Sequence, residues 1–464
     1  MTATLTFLGA AGGTVTGSKH LLEDLLGDGA SRLLLDCGLF QGLKPLRLRN
    51  WAPPPVDPKT LGAVVLSHAH IDHSGYLPRL CRDGFTGPVY CTGGTLDLLR
   101  IMLPDAAHLQ EEEAAFANRH RTSKHDPALP LYTVADADRV LAQARRVAFG
   151  ERFTPAPGVE ARFTPSGHIL GAGLVTCVIG GRRLVFSGDL GRYDVPIMVD
   201  PDPVAEADVL LVESTYGNRV HPPDDPVDRL AAAVRRAVDQ KGWLLIPAFA
   251  VGRSQEILHD LRALETKGAI PSLPVFLDSP MGIQATAIYA SHTEEHDAAL
   301  IALEADGTRP FAPRRLTLAR TVDDSKRLND TPGPGIIVAG SGMATGGRIL
   351  HHLRRLLPDP RTTVLFVGYQ AAGTRGRRLK DGATEMKMLG AEVPVRAEIM
   401  VSDAYSAHAD REEILRWLGG FTRPPGMTYV VHGEADAASA LRDAITSRLG
   451  WPAAVAEDGQ RVSL

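Results

Sequence analysis

Apolar residues recur along this chain in short runs whose spacing predicts alternating strands and helices. Residues 2–9 alternate apolar and polar positions like a strand and lead into the small-residue turn Gly9 to Gly13. The run Arg32 to Asp36 reads as a strand ending on an aspartate, and Gly62 to Leu66 as a buried apolar strand. A helix near Gly75 to Arg82, a strand at Pro88 to Cys91 and a helical stretch from Leu96 to His125 follow. His108, His120 and His125 lie scattered among charges in that stretch and are expected at the surface. Arg183 to Phe186 predicts a strand that delivers Asp189 at its end.

After a turn or linker at Val199 to Pro203 the texture changes. Strands are expected at Val209 to Glu213, Trp243 to Pro247, Val275 to Leu277, Gly335 to Ala339 and Thr363 to Val367. Amphipathic helices such as Gly252 to Leu264 and Arg348 to Leu357 fall between them. That alternation argues for a parallel sheet wound on both faces. The last stretch returns to the first texture, with His408 just past a strand and His432 at the end of another. The expected organisation is therefore a first domain part at 1–208, a doubly wound insert at 209–393 and a returning part at 394–464.

A chain of 464 residues exceeds one ordinary core, so several domains are expected. Hydrophobic residues at 44% and charged residues at 22% place it among globular proteins. The balance of 50 Lys+Arg against 54 Asp+Glu excludes a nucleic-acid binder that works through bulk positive charge, so any such contact must be local. Cys37, Cys81, Cys91 and Cys177 lack a Cys-x-x-Cys spacing and read as buried free thiols of a reducing compartment. With no basic leader and no apolar run long enough to cross a membrane, a cytoplasmic protein is expected.

The densest chemistry is Ser67-His68-Ala69-His70-Ile71-Asp72-His73, directly after an apolar strand. Imidazole and carboxylate are ligands that borderline divalent metals such as zinc accept. A lone histidine would read as an ordinary polar residue, but His-x-His-x-Asp-His at a strand end reads as a metal site. His168, in a Gly-flanked turn, and Asp189 add one more imidazole and a carboxylate able to bridge two metals. Strand-end loops converge on one rim of a sheet, where sites are built. Asp36 reads equally as a turn cap or as a group orienting a ligand. His292 and His296 lie four apart, but Glu294, Glu295 and Asp297 suggest an exposed acidic helix, and the pair is set aside.

Taken in order, Asp36, His68-x-His70-x-Asp72-His73, His168 and Asp189 match the signature of metallo-β-lactamase fold hydrolases. Glu213 in Val-Glu-Ser-Thr-Tyr-Gly, His408 in Ser-Ala-His-Ala-Asp and His432 in Val-His-Gly-Glu match the three further motifs of the β-CASP branch. The chain most resembles bacterial relatives of the pre-mRNA 3′-end cleavage endonuclease and, more distantly, ribonuclease J. The resemblance implies an α/β protein, an αββα sandwich with an inserted doubly wound domain. It implies a zinc-dependent ribonuclease in which two Zn2+ ions, or Mn2+, activate a hydroxide against RNA phosphodiesters and leave 5′-phosphate and 3′-hydroxyl ends.

In that resemblance His68, His70 and His168 hold one metal, Asp72, His73 and His432 hold the other, and Asp189 bridges them. Asp36 then supports the ligands from behind. His408 meets the scissile phosphate and protonates the leaving oxygen, oriented by Glu213. Histidine at 432 points to RNA, because the DNA cross-link repair branch carries valine at the matching motif. A DNA nuclease, a small-molecule hydrolase and a non-catalytic RNA-binding subunit are the rivals. Single-stranded RNA is the expected partner, with endonucleolytic or 5′-to-3′ exonucleolytic cutting both open and homodimer formation undecided. The chain ends soon after its final helix, so the extra C-terminal domain of ribonuclease J relatives is not expected.

The loop Ala339 to Gly346 joins an apolar strand to a helix, and Ser341 and Gly342 are candidate contacts for RNA phosphates through backbone amides. A plain tight turn is the competing reading. Basic residues are local, as the charge balance requires: Arg375 opens the cluster Arg375 to Lys380, and Arg253 and Arg348 flank glycine-bearing loops. Such residues position a strand without reading its sequence, although a solvated face is the ordinary meaning of a charge run.

Overall fold

A computed structural model of the chain describes residues 3–26, 31–222, 225–368, 370 and 373–464, so Thr2 of the first expected strand lies outside the described residues. It divides into two units: 1–195, 199–220 and 408–464 form the first, and 196–198 and 221–407 form the second.

The first unit contains two seven-stranded sheets. One runs, edge to edge, Arg461–Ser463, Thr4–Gly9, Lys19–Glu23, Arg32–Leu35, Ala63–Val65, Val89–Cys91 and Ala144–Arg146. The other runs Ala453–Val455, Met427–Val431, Val209–Glu213, Arg182–Phe186, Gly173–Ile179, Val159–Pro165 and Arg152–Ala156. Inward-facing Leu5, Phe7, Leu35, Val65, Phe163, Phe186 and Leu211 share one apolar core. Burying each such side chain contributes about 1.5–3 kcal/mol. The outer face of the second sheet packs Val185, Leu210 and Val430 against Ile414, Trp417 and Leu441 of the helices Arg411–Leu418 and Ala435–Ala444. Helices Leu77–Arg82 and Gly93–His120 both pack on Val134–Gln143.

The second unit is built on a six-stranded sheet ordered Leu316–Leu318, Val275–Asp278, Gly335–Ala339, Trp243–Pro247, Thr363–Val367 and Glu398–Ser402. Every pair in it is parallel. Its central strands are buried throughout, the continuous apolar run expected when helices cover both faces.

Two strands fall on the other side of the expected domain boundaries, and pairing explains both. Val209–Glu213 lies between Arg182–Phe186 and Met427–Val431, parallel to each, and so belongs to the first unit. Glu398–Ser402 pairs in parallel with Thr363–Val367 and belongs to the second. Periodicity gives a strand's existence but not its partner.

His292 and His296 also differ from expectation. The helix Pro280–Ser291 stops before them, and both are buried, His296 against Glu304 (3.0 Å) and the Tyr289 carbonyl (2.9 Å). Glu294 alone of the flanking acids stays largely in solvent, so local charge overstated the exposure of this stretch. His108, His120 and His125 are exposed, and all four cysteines are free and buried. No helix among the described residues is long and apolar enough to cross a membrane.

Candidate metal centre

The centre is assembled at strand ends of the first unit. Ala63–Val65 leads into Ser67 and His68, and His70 caps the one-turn helix Ile71–Ser74 that carries Asp72 and His73. Ser74 ties this turn down by donating to the carbonyls of Ala69 (2.8 Å) and His70 (3.0 Å). The neighbouring loop is threaded tightly behind it: the Cys37 amide donates to the His73 carbonyl and the Leu39 amide to that of Ile71. Gly38 between them leaves no room for a side chain, since a Cβ there would sit 1.5 Å from the Asp72 carbonyl oxygen.

His168 arrives on the loop before Gly173–Ile179, and Asp189 follows Arg182–Phe186. His432 follows Met427–Val431 with φ 51, and its amide donates to the Ala10 carbonyl in the small-residue turn near the N-terminus. Parallel pairing of 182–186, 209–213 and 427–431 brings Asp189, Glu213 and His432 to one end of one sheet.

The side chains expected at two metals are gathered here as donor groups. Ligand atoms of His68, His70, His168 and Asp189 lie within 4.8 Å of one another, as do those of Asp72, His73 and His432. His70 Nδ1 lies 3.1 Å from His68 Nε2 and 3.2 Å from His168 Nε2, and His73 Nε2 lies 3.0 Å from His432 Nε2. Asp189 divides its carboxylate between the groups. Oδ2 faces His68 (3.4 Å) and His168 (3.5 Å), while Oδ1 faces His73 (3.3 Å) and His432 (3.4 Å).

Asp36 lies behind the ligands, fully buried, with Oδ2 2.7 Å from His73 Nδ1. That contact fixes the tautomer and turns His73 Nε2 into the centre. Asp36 is itself held by the Ser67 amide (2.7 Å), Ser67 Oγ (2.9 Å) and Ser18 Oγ (3.1 Å). Ser67, Ser18 and Thr215, whose Oγ1 lies 3.2 Å from His432 Nδ1, are positioning groups that the sequence reading missed. For Ser67 and Thr215 the signal was proximity to His68 and Glu213; Ser18 carried none.

Charge follows from this geometry. Burial holds His68 well below the ordinary imidazole range, with His73 adding to the effect. Burial also lowers His70 to about 4, although Asp72 and Asp189 pull the other way. Both are neutral at pH 7, the form that ligates metal. Burial opposes ionisation of Asp189, but His432, His73 and His68 outweigh it and hold the carboxyl well below its usual range. Asp72 is likewise lowered to about 2 by His432 and His73 against the cost of burial. His73 is the exception: burial disfavours its charge, yet Asp189 and Asp36 hold it protonated. A cation bound at His73 would have to displace a proton from the ring.

The arrangement fits divalent cations on its own terms. Buried imidazole nitrogens converge here at hydrogen-bond distance, His68 with His70 and His73 with His432, beside the Asp189 carboxylate, which gathers neutral N donors and an anionic O donor in one place. Asp189 Oδ1 is buried with no hydrogen-bond partner among the described residues. The donor set of N and O atoms suits zinc or manganese.

His408 stands beside this cluster with Nδ1 3.1 Å from Glu213 Oε1. Glu213 is fully buried and accepts the amides of Leu190 (2.8 Å) and Thr215 (3.0 Å). Burial alone would lower the His408 pKa; Glu213, then Asp189 and Asp72, outweigh it and push the imidazole up to about 9.

The residues expected at RNA phosphates lie in the second unit and are not gathered into one group. Ser341 Oγ accepts the amides of Thr345 (3.0 Å) and Gly346 (3.3 Å), and Gly342 packs on Phe249. Arg375 braces that loop through the carbonyls of Thr345 (3.1 Å) and Lys387 (3.2 Å). Arg253 is paired with Glu256 and lies over the Tyr405 ring. Arg348 is engaged by Asp278 (2.7 Å) and the carbonyls of Ala319 and Arg320.

Three family models follow one another along the chain: a beta-lactamase superfamily domain over residues 31–240, a Beta-Casp domain over 254–379, and a Zn-dependent metallo-hydrolase RNA specificity domain over 392–456. Ribonuclease TTHA0252 of Thermus thermophilus is 38% identical over 452 residues, covering 97% of this chain and 95% of that protein. The transcription termination factor FttA of Methanosarcina mazei is 32% identical over 445 residues, covering 92% of this chain and 67% of its own. An RNase J-like protein of Methanocaldococcus jannaschii is 30% identical, covering 87% of each chain. A crystal structure of a protein of unknown function from Enterococcus faecalis V583 shares the fold, with TM-score 0.55 and 14% identity over 100% of both chains. On these matches and this architecture, the chain belongs to the β-CASP branch of the metallo-β-lactamase fold nucleases.

Proposed function

We propose that the protein is a zinc-dependent ribonuclease that hydrolyses RNA phosphodiesters, with its active site wholly in the first unit. The observation that carries the reading is Asp189, whose two oxygens face two separate sets of ligands while His408 stands on Glu213 at the same rim. The relatives support the choice of substrate, one being named a ribonuclease and the matched C-terminal domain an RNA specificity domain.

His68, His70 and His168 would hold one cation and Asp72, His73 and His432 the other, with the Asp189 carboxylate available to both. The chemistry such a pair of ions would supply when bound is an acidified water and neutralisation of charge on the attacking and leaving oxygens. This chain's own residues do the rest. Neutral His68 and His70 present lone pairs, and Asp36 fixes the His73 ring. His408 carries a proton at neutral pH and gives it to the departing 3′-oxygen as water adds to phosphorus and the P–O bond breaks. Glu213 accepts from Nδ1 of the same ring, which stabilises the charged imidazole and leaves the Nε2 proton to be donated. Ser341, Gly342 and Arg375 are retained as backbone phosphate contacts, whereas Arg253 and Arg348 are engaged by Glu256 and Asp278.

The test is cleavage by zinc-loaded protein of matched single-stranded RNA and DNA carrying a 5′-monophosphate and an internal label. RNA-selective cutting is expected, and a ladder of mononucleotides or discrete fragments separates exonuclease from endonuclease action. Preference for DNA overturns the substrate assignment. His408→Ala is expected to retain metal and lose cleavage, and Asp72→Ala to lose both.

A further inference from the structure

The loop that follows Asp36 carries a feature that metal chemistry does not use. From Cys37 to Val56 the sequence contains no acidic residue but three cations, in a chain whose net charge is −4. Within it, the short helix Lys44–Arg49 has no buried residue. Leu43, Leu48 and Trp51 are exposed at 63%, 57% and 51%, three large apolar side chains within nine positions.

Such exposure is not slackness of the loop. Asn50 is buried and pairs twice with the Phe40 backbone, donating to its carbonyl (2.8 Å) and accepting its amide (2.9 Å). Arg49 is fixed over the Phe40 ring (4.0 Å) and bridged to Asp458 (2.9 Å). The base of the loop is joined to the metal centre through Leu39, whose amide donates to Ile71 in the ligand turn. A closed, anchored loop whose base is tied to the ligand turn thus presents apolar faces and the exposed cations Lys44 and Arg47 to solvent.

We propose that this loop is a platform for single-stranded RNA, with a base stacked on Trp51 and phosphates drawn to Lys44 and Arg47. The inference rests on the ribonuclease reading and adds to it a binding surface in the first unit. Charge selects the occupant: an acid-free cationic segment complements a polyanion, and an indole beside aliphatic side chains is the sequence-tolerant surface on which bases stack. Insertion into a membrane surface is disfavoured, because six helical residues bury too little apolar area.

Trp51 makes the proposal directly measurable, since Trp243, Trp417 and Trp451, the other three tryptophans, are exposed by only 6%, 2% and 7%. Metal-stripped protein is titrated with a fluorescein-labelled oligouridylate, following anisotropy and acrylamide quenching of tryptophan. RNA is expected to shield the indole from acrylamide. Trp51→Ala is expected to weaken binding about tenfold, the loss of one base stack. Lys44→Gln with Arg47→Gln is expected to lower the log–log salt slope by about 1.4. In zinc-loaded protein, hydrolysis of bis(p-nitrophenyl) phosphate, too small to reach the loop, stays unchanged in all variants. Wild-type affinity in Trp51→Ala with RNA still cut overturns the platform alone. Wild-type protein that neither binds nor cuts RNA overturns the ribonuclease reading and the platform with it. RNA binding unchanged but a smaller oligomer on sedimentation identifies the loop as a contact between copies and overturns the proposal.

Discussion

Glu213→Gln isolates what the carboxylate does for His408, because the amide keeps the shape and removes the charge. Burial opposes the His408 charge, and Glu213 is the largest of the groups that override it and raise the imidazole from 6.5 to about 9. At pH 8 a group with the raised value is about 90% protonated, whereas one returned to 6.5 is roughly 3% protonated, a ratio near thirtyfold. At pH 6 the same comparison gives less than about twofold. If His408 is the proton donor, cleavage by the variant falls by roughly that factor at pH 8 and hardly at pH 6. Cations bound near Asp189 would lower both midpoints together, so the quantity to read is the difference between the two enzymes. The assay is a pH–rate profile for a fluorogenic RNA under single-turnover conditions, with zinc content checked at each pH. An equal loss at pH 6 and pH 8 would refute the proton-donor role and leave Glu213 as a mere brace for the Leu190 and Thr215 amides.

Gly38→Ala is expected to empty the metal centre: a Cβ 1.5 Å from the Asp72 carbonyl forces the ligand turn back by about 2 Å to reach ordinary contact, visible as lost zinc and a lower Tm. His20 is fully buried between Phe7 and Phe186 with neither ring nitrogen hydrogen-bonded, and burial, assisted by His73 and His432, lowers its pKa to about 3. The unfolded chain takes up a proton below pH 6.5 that the folded chain refuses until about 3, so stability falls as pH drops through that window. His20→Leu should remove about 2 kcal/mol of the loss between pH 6.5 and 5, read as a flatter Tm–pH curve of the metal-free protein than wild type. Arg348→Ala strips one partner from the buried Asp278, which keeps His352 and Ser325, and is expected to cost about 2 kcal/mol in urea unfolding of the second unit. A loss of RNA affinity at unchanged stability would reverse that assignment.

The centre was legible because metal ligands are constrained in type and in local spacing. His68, His70, Asp72 and His73 fall within six positions, Asp189 and His432 follow apolar runs, and His168 sits in a Gly-flanked turn. What periodicity could not supply was pairing. Val209–Glu213 has the same apolar texture as the strands of the second unit, yet its partners are Arg182–Phe186 and Met427–Val431. The supporting groups were equally hidden, since Ser18 reaches Asp36 from a distant strand edge and nothing in the local sequence announces it. Arg348 and Arg375 look alike as sequence, but a buried Asp278 claims one while backbone carbonyls hold the other.

The strand Met427–Val431 has a consequence for the timing of synthesis. It supplies His432 and is the parallel neighbour of Val209–Glu213, and Arg461–Ser463 pairs with Thr4–Gly9 across the whole length of the chain. On a ribosome the second unit, whose strands lie within 243–402, emerges complete while the first still lacks these partners. The nascent protein therefore carries His68, His70, Asp72 and His73 through synthesis of the whole second unit without His408 or His432 beside them. A nuclease assembled in this order comes into being only after the stretch from 408 to 463 has followed the second unit off the ribosome.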